Sequence, residues 1–522
     1  MNDPRNLAAR LEARAAAGGW AGDVAFLAGE RCFTHADVHD GGARMASLLA
    51  ATGVRRGNAV LVALPDGPEL VWAFLGAVRL GAVAVLVNPR VTAADHRFAA
   101  ADVAARAVVC SGELASRFDD GPVVLAEGLE DVLAEYEPAR VADVGPGDAA
   151  YAQYTSGTTG TPKAALHGHD HPLAYFEAFA RGAIAIRRDD VLLSVSKLYF
   201  AYGLGNSLLF PLLAGCRAVL HAGHPRPEDV AALTARHRVT VLFGVPTFYA
   251  HLVAYAADAG SRRCGAGPFS SLRAAVSAGE ALAPALAERV RAVLGCPVLD
   301  GIGSTEVGQT FASNTVERWR DGTVGRALPP YRVRVRDAEG REVPPGETGN
   351  LWVAGPSLLL GYLGHADVSV PVRDGWLLTG DRAELDADGY LRLRGRSDDL
   401  EKVGGISVSP LEIESVLARH PAVVEVAVAG VVGDDGASRL KAFVVPGPGV
   451  TASGASADAL AADLVALARA ELAPFKVPRS VVVVDALPRT ATGKLRRFVL
   501  RAGAWPPERC DQPAASAPNR SR

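Results

Sequence analysis

Cysteine is scarce and scattered. Cys32, Cys110, Cys216, Cys264, Cys296 and Cys510 include no CxxC pair and no short ligand spacing. The pattern suits neither a disulfide framework nor a cysteine zinc site, and reads as reduced, mostly buried small hydrophobes of a cytoplasmic protein. Charge of one sign is missing too: 54 basic against 57 acidic residues leave a net charge of -3, with no polybasic field for nucleic acid or anionic lipid. A small-molecule partner is the default. The amino-terminal "MNDPRNLAARLEARAAAGGW" spaces Leu7 and Leu11 four apart on a charged helix and lacks the uninterrupted apolar core of a signal peptide, so no secretion is expected. The longest apolar stretch, "LVWAFLGAVRLGAVAVLV", is broken by Arg79 and holds Gly76 and Gly81, which argues for a buried helix running into a strand rather than a membrane span. Internal repeats are absent.

What is present is ample core material. With 522 residues, 49% hydrophobic and 21% charged, the chain exceeds what one core organises, so two or more domains are expected. Short β-rich runs alternate with alanine-rich helical ones: "NAVLVAL", "GPELVWAFLGAVRLG", "AVAVLVNP", and again "RAVLHAG", "PEDVAALTARHR", "VTVLFGVP". That order predicts an α/β fold with parallel sheets. From about Asn350, glycine-punctuated strands such as "GNLWVAG" and "GYLRLRG" suggest a β-rich subdomain. The expected organisation is a large domain over 1–396, a small α+β domain over 398–505, and a polar, proline-rich tail over 506–522 read as disordered.

The stretch "YTSGTTGTPK", Tyr154 to Lys163, has the composition of a phosphate cradle. It is not a Walker loop: Gly157 and Gly160 are three apart, Pro162 precedes Lys163, and Ala164 stands where a magnesium-binding hydroxyl is required. Backbone N–H groups of the turn and the hydroxyls of Thr155, Ser156, Thr158 and Thr159, with the charge of Lys163, can still wrap phosphate. Taken alone, an ordinary polar turn remains an equal alternative.

Its company decides. "YTSGTTGTPK" resembles the phosphate-binding signature of the adenylate-forming enzymes, comprising acyl- and aryl-CoA synthetases, adenylation domains and beetle luciferases. "GIGSTE" (Gly301–Glu306), "WLLTGD" (Trp376–Asp381), "GRSDDLEKVGG" (Gly395–Gly405) and "PRTATGK" (Pro488–Lys494) are similar to the family's later motifs, in order and in register. The resemblance implies that a carboxylate attacks the α-phosphate of ATP, giving an acyl-adenylate and pyrophosphate, and that a thiol then displaces AMP. By resemblance, Lys494 bridges carboxylate and α-phosphate, Thr305 contacts the α-phosphate, and Glu306 binds Mg2+. Asp381 holds the ribose with help from Arg396. Ala278, Gly279 and Glu280 of "SAGEAL", with Asp300, Gly301, Ile302 and Ser304, complete the nucleotide set. Asp398 matches the hinge about which the small domain rotates, and Gly404 and Gly405 the loop of the thioester step.

"SKLYFAYGLGNSLLFPL" (Ser196–Leu212) resembles benzoate-CoA ligases most, implying a flat slot lined by Ala201, Tyr202, Phe210, Ala278, Gly303, Gln309 and Thr310. Read from spacing alone, Tyr202 and Phe210 are core aromatics on a helix. Gln309 and Thr310 depart from the histidine and branched aliphatic residue of that family, adding polar groups that need partners; they satisfy each other or water if plain benzoate is the substrate, and otherwise admit hydroxy- or aminobenzoates. In "LHGHDH", alternate spacing would put His167, His169 and His171 on one strand face, as zinc ligands require; the resemblance instead gives His169 no metal role. The expected acceptor is coenzyme A, with a phosphopantetheinyl carrier protein as the alternative; oxygen chemistry of the luciferase kind has no further support, and a non-catalytic regulator would be expected to lose Lys494 or Glu306. A homodimer is compatible with these features.

Overall fold

The computed structural model describes residues 4–118, 121–155, 162–259, 267–365, 369–403, 406–432, 438–447, 450–489, 495–503 and 505. The chain divides into two compact units, Met1–Asp398 and Asp399–Arg522.

In the first unit the expected strand–helix–strand order appears. Ala59–Ala63, the helix Pro68–Arg79 and Val83–Leu86 form one such module, and Arg217–Leu220, Pro227–His237 and Val241–Gly244 another. Both helices begin with proline, whose missing N–H costs nothing in a first turn. The apolar runs become strands because both their faces are covered; Ala59–Ala63 and Val83–Leu86 are buried at every position.

Two large sheets result. One has nine strands, in the order Arg326–Ala327, Thr310–Ser313, Val298–Gly303, Ala274–Ser277, Val241–Gly244, Val191–Ser194, Arg217–Leu220, Val24–Ala28 and Arg31–Thr34. The other has seven, in the order Gly361–Tyr362, Ala164–Gly168, Ala149–Tyr154, Val83–Leu86, Ala59–Ala63, Ala107–Cys110 and Val123–Leu125. Their centres are parallel, and antiparallel pairs appear towards the margins: Thr310–Ser313 returns beside Val298–Gly303, and Ala164–Gly168 beside Ala149–Tyr154, whereas the edge strand Val123–Leu125 stays parallel to Ala107–Cys110. A connection too short for a crossover helix forces that reversal. The glycine-punctuated segment is a five-stranded antiparallel sheet built on Arg332–Arg336, Thr348–Ala354, Trp376–Leu385, Val372–Arg373 and Leu391–Arg396. Among the described cysteines, Cys110, Cys216 and Cys296 are buried and Cys32 is exposed.

The second unit packs the helices Pro410–Leu417 and Ala455–Glu471 with a three-stranded sheet of Val423–Val432, Ser438–Pro446 and Ser480–Val483. The segment read as a tail, 506–522, lies outside the described residues.

The helix His35–Ala51 starts with a capping box, Thr34 Oγ1 accepting from the Asp37 N–H while Asp37 returns the bond to Thr34 N–H. Its inner face carries two buried imidazoles. Burial pushes His35 and His39 down from 6.5 to about 4. Folding then requires both rings neutral, so the stability they permit is intact above pH 6.5 and lost as pH falls towards 4. Between pH 7 and 5 each imidazole is expected to remove about 2 kcal/mol, read as a fall in the urea midpoint. A His35→Asn/His39→Asn variant should lose the share of the pH dependence that these two rings impose; an unchanged slope would contradict this account.

Candidate active site

Strands Val241–Gly244, Ala274–Ser277 and Val298–Gly303 run parallel, so the loops after them meet at one sheet edge, where ligands of open α/β sheets bind. Those loops carry Ala278, Gly279 and Glu280, and the turn Ser304–Gly308. Thr247, on the helix Pro246–Ala259, donates to Glu280 Oε2 at 3.0 Å, which ties the first loop to the neighbouring helix.

The turn is held unusually firmly. Gly308 N–H donates to the Ser304 and Thr305 carbonyls at 3.0 and 3.1 Å. The Thr305 carbonyl accepts from His167 Nε2 at 2.7 Å, the Glu306 carbonyl from Leu359 N–H at 2.7 Å, and the Val307 carbonyl from Ser357 Oγ at 2.7 Å. Three consecutive carbonyls are thus fixed from two other segments, the strand of His167 and the stretch that carries Ser357 and Leu359. With its backbone held, the turn presents the Thr305 and Glu306 side chains, both half-buried, in one arrangement.

Thr155 and Lys163 close the base of the phosphate signature, Thr155 N–H donating to the Lys163 carbonyl at 2.9 Å. Ser156, Gly157, Thr158, Thr159 and Gly160 lie outside the described residues, as do Gly404, Gly405 and Lys494. The Lys163 ammonium sits 5.5 Å from the centre of the Tyr362 ring. Burial pushes the Tyr362 phenol up to about 12, and the nearby Glu306 charge adds to it. Lys163, Tyr362 and Glu306 therefore converge. Among the described residues nothing pairs with the Glu306 carboxylate, an oxygen donor that fits a hard cation such as Mg2+.

In the five-stranded sheet Asp381 lies opposite Arg396, with the guanidinium 3.6 Å from its carboxylate. Arg396 Nε also donates to Asp398 Oδ1 at 3.0 Å, so the three residues form one charged group at the end of the first unit.

The residues expected to line the slot come together. Gln309 Nε2 donates to the Ala201 and Tyr202 carbonyls at 3.4 and 3.2 Å, and Gln309 Oε1 accepts from the Thr310 N–H and hydroxyl at 3.1 and 3.2 Å. Gln309 and Thr310 satisfy each other, as one of the two readings required. Gly303 lies opposite Thr310, and a Cβ there would sit 2.6 Å from the Gln309 carbonyl oxygen. A Cβ on Gly205 would fall 2.1 Å from Gln309 Nε2 and 3.3 Å from the Phe210 ring. Tyr202 donates to the Val276 carbonyl at 3.4 Å, beside buried Ala278, and meets Phe243 edge to face at 6.1 Å. Phe210 has no exposed surface and packs among Tyr175, Phe176 and Phe179, so it backs this wall. A π-helical turn, Gly205–Leu209, separates Tyr202 from Phe210, which corrects the plain helix that their spacing suggested.

Asp300 is buried beneath the turn. Loss of hydration raises its carboxyl to about 8, opposed by the Leu282 and Gly301 N–H groups. Oδ2 accepts from Leu282 at 3.4 Å, and Oδ1 has no partner among the described residues.

The histidine cluster does not share a strand face. The strand ends at Gly168 and His171 opens the next helix. His167 Nδ1 lies 3.0 Å from His171 Nδ1, while His169 Nδ1 accepts from the Leu7 N–H at 3.1 Å. This geometry replaces the zinc arrangement.

Residues 13–363 match the AMP-binding enzyme family and residues 412–494 its AMP-binding enzyme C-terminal domain. The chain belongs to the AMP-binding enzyme family. Over 95% of its length it is 44% identical to p-hydroxybenzoic acid–AMP ligase FadD22 of Mycobacterium marinum, covering 69% of that protein. It is 40% identical to benzoate–CoA ligase of Thauera aromatica over 88% of each chain. Among solved structures it is similar to a benzoate CoA ligase from Burkholderia xenovorans, with a TM-score of 0.86, 36% identity and coverage of 95% of this chain and 99% of that one. It is also similar to the anthranilate CoA ligase AuaEII bound to anthranoyl-AMP, with a TM-score of 0.89, 32% identity and coverage of 97% and 98%. The resemblance carried by the five motifs is borne out at the level of the family.

Sequence reasoning missed two features within this family frame. One is the buried pair Asp66 and Lys197, 3.6 Å apart, with Asp66 also accepting from the Leu198 N–H at 3.0 Å. Each residue follows an apolar strand by a few positions, the one signal that could have found them. The other is the grip of His167 on Thr305, hidden because the spacing of the histidines pointed to a metal.

Proposed function

We propose that this protein activates benzoate or a substituted benzoate with ATP, releasing pyrophosphate, and transfers the aryl group from aryl-AMP to the thiol of coenzyme A with release of AMP. The observation that carries the aryl substrate is the Gln309 wall. Every hydrogen-bonding position of Gln309 is engaged by the Thr310, Ala201 and Tyr202 groups, so this wall offers a planar ring contact surface without an unpaired polar group. Unsubstituted benzoate is the first choice; the names of the 44% and 40% identical relatives, p-hydroxybenzoic acid–AMP ligase and benzoate–CoA ligase, agree with the class.

In this reading the carboxylate oxygen attacks the α-phosphorus, the bond to the pyrophosphate oxygen breaks, and charge builds on the phosphoryl oxygens. Lys163 and the phosphate signature hold the departing pyrophosphate. Thr305 meets the α-phosphate, and Lys494 bridges carboxylate and α-phosphate. Glu306 would hold Mg2+, which offsets charge on the phosphate oxygens when bound. Asp381 and Arg396 fix the ribose, and Ala278, Gly279, Glu280, Gly301, Ile302 and Ser304 border the nucleotide, with the unpartnered Asp300 Oδ1 available to it. In the second step the coenzyme A sulfur attacks the acyl carbon and AMP leaves. Rotation about Asp398 exchanges Lys494 for the Gly404–Gly405 loop between the two steps. A cytoplasmic setting accords with the scattered cysteines and with the absence, among the described residues, of a helix long and apolar enough to cross a membrane.

The second reading keeps the adenylate and changes the acceptor to a phosphopantetheinyl carrier protein. The relative named only as an AMP ligase, rather than a CoA ligase, favours keeping it open. Measuring pyrophosphate exchange with benzoate, hydroxybenzoates and octanoate, and thioester formation with coenzyme A and with a carrier protein, separates these readings. Aryl acids should exceed octanoate in kcat/KM by about 100-fold or more, as a mismatched pocket implies; preference for octanoate would overturn the aryl reading, and a large preference for the carrier would overturn the coenzyme A reading. For Lys494→Ala, adenylate formation should fall by about 100-fold or more while thioester formation from supplied aryl-AMP is spared. Equal loss in both steps would contradict its role.

A further inference from the structure

His167 stands on the strand Ala164–Gly168, four residues after Lys163, and is fully buried. Its Nε2 lies 2.7 Å from the Thr305 carbonyl oxygen. A carbonyl only accepts, so Nε2 carries the proton; a neutral ring then has a bare Nδ1, and His171 Nδ1–H must donate to it across 3.0 Å. Burial favours that neutral form, pushing His167 from 6.5 to about 3. Tyr151, on the adjacent strand, stacks on the imidazole with ring centres 5.1 Å apart and planes 20° apart, and its hydroxyl lies 3.2 Å from that of Tyr175. Tyr151 and His171 hold the ring from outside the turn, and the Thr305 carbonyl assigns the proton to Nε2.

The bond joins two elements that the sequence separates by 138 residues. Lys163 immediately precedes the strand that carries His167 near its end; the other partner is the turn that carries Thr305 and Glu306. A strand residue advances about 3.3 Å, so a rigid strand with one anchored end sets the spacing between Lys163 and the turn.

We propose that His167, as its neutral Nε2–H tautomer oriented by His171, is a positioning residue that sets the Thr305–Glu306 turn in register with Lys163 for the adenylation step. The assignment rests on the adenylating reading of the site. His167 touches no substrate group; it acts through the Thr305 carbonyl, and a shift of that turn by a fraction of the hydrogen-bond length moves the hydroxyl and the carboxylate together.

The test compares wild type, His167→Phe, which keeps a ring and loses the donor, and His167→Gln, whose amide nitrogen can replace Nε2. Pyrophosphate exchange is measured with saturating benzoate while Mg2+ and ATP are varied, alongside the melting temperature. We expect His167→Phe to lower exchange kcat by about 100-fold, the scale of a misplaced catalytic group. Half-saturating Mg2+ should rise while KM for benzoate stays within about twofold, and His167→Gln should recover at least a tenth of wild-type kcat. Equal impairment of the two variants, or a lower melting temperature with kcat and Mg2+ dependence unchanged, would overturn the assignment. If His167→Phe does not fold, 15N spectra of histidine-labelled wild type decide: a neutral ring protonated at Nε2 at pH 7 supports it, and a proton on Nδ1 or on both nitrogens overturns it. Absence of exchange in wild type with any aryl acid would instead sink the adenylating reading, which separates the two failures.

Discussion

The structure depends on one constraint: the short turn between Val298–Gly303 and Thr310–Ser313 must hold its shape at the open end of a parallel sheet. An isolated turn of this length would sample several conformations. Here the carbonyls of Thr305, Glu306 and Val307 accept from His167, Leu359 and Ser357, so the turn is fixed by the seven-stranded sheet and by the chain preceding Gly361–Tyr362. Each bond to a buried carbonyl also removes the penalty of leaving that group unpaired, which is why the arrangement is compatible with folding. In the proposed reaction the side chains that project from it would meet developing charge without reorganising, the condition under which fixed dipoles and ions stabilise a transition state most effectively.

Much of this was legible in the sequence because it is local. Apolar runs such as "AVLVA" and "AVVC" state their own burial, and "YTSGTTGTPK" and "GIGSTE" mark strand ends by composition. The antiparallel pairs were not legible, since parallel and antiparallel strands share one residue pattern. Nor was the π-helical turn Gly205–Leu209, where an extra residue shifts the phase of Tyr202 against Phe210. The bonds of Gln309 to Ala201 and Tyr202 span 108 and 107 residues and leave no trace in local spacing. The histidines show the opposite failure: regular spacing in "LHGHDH" suggested one strand face, but the strand stops at Gly168, His167 and His171 face each other, and His169 turns to the Leu7 N–H.

Burial sets the electrostatics. Asp300 is held towards its protonated form by loss of hydration, and its Oδ1 waits without a partner among the described residues. Asp66 and Lys197 form a built-in acid–base pair 3.6 Å apart, in which burial pushes each towards its neutral form and the partner opposes the push. Glu306 is half-buried, and its carboxylate pairs with nothing among the described residues. These are three treatments of charge within the first unit, and they differ in burial and in whether a partner is built in.

The central claim is that an acyl-adenylate forms before any thiol acts. Mixing the protein at substrate concentration with ATP, Mg2+ and benzoate in the absence of any thiol, then quenching in acid and analysing the products by mass spectrometry, tests it most directly. The account predicts benzoyl-AMP and pyrophosphate in equal amounts; ADP with benzoyl phosphate, or consumption of ATP with no acyl-adenylate, would contradict it.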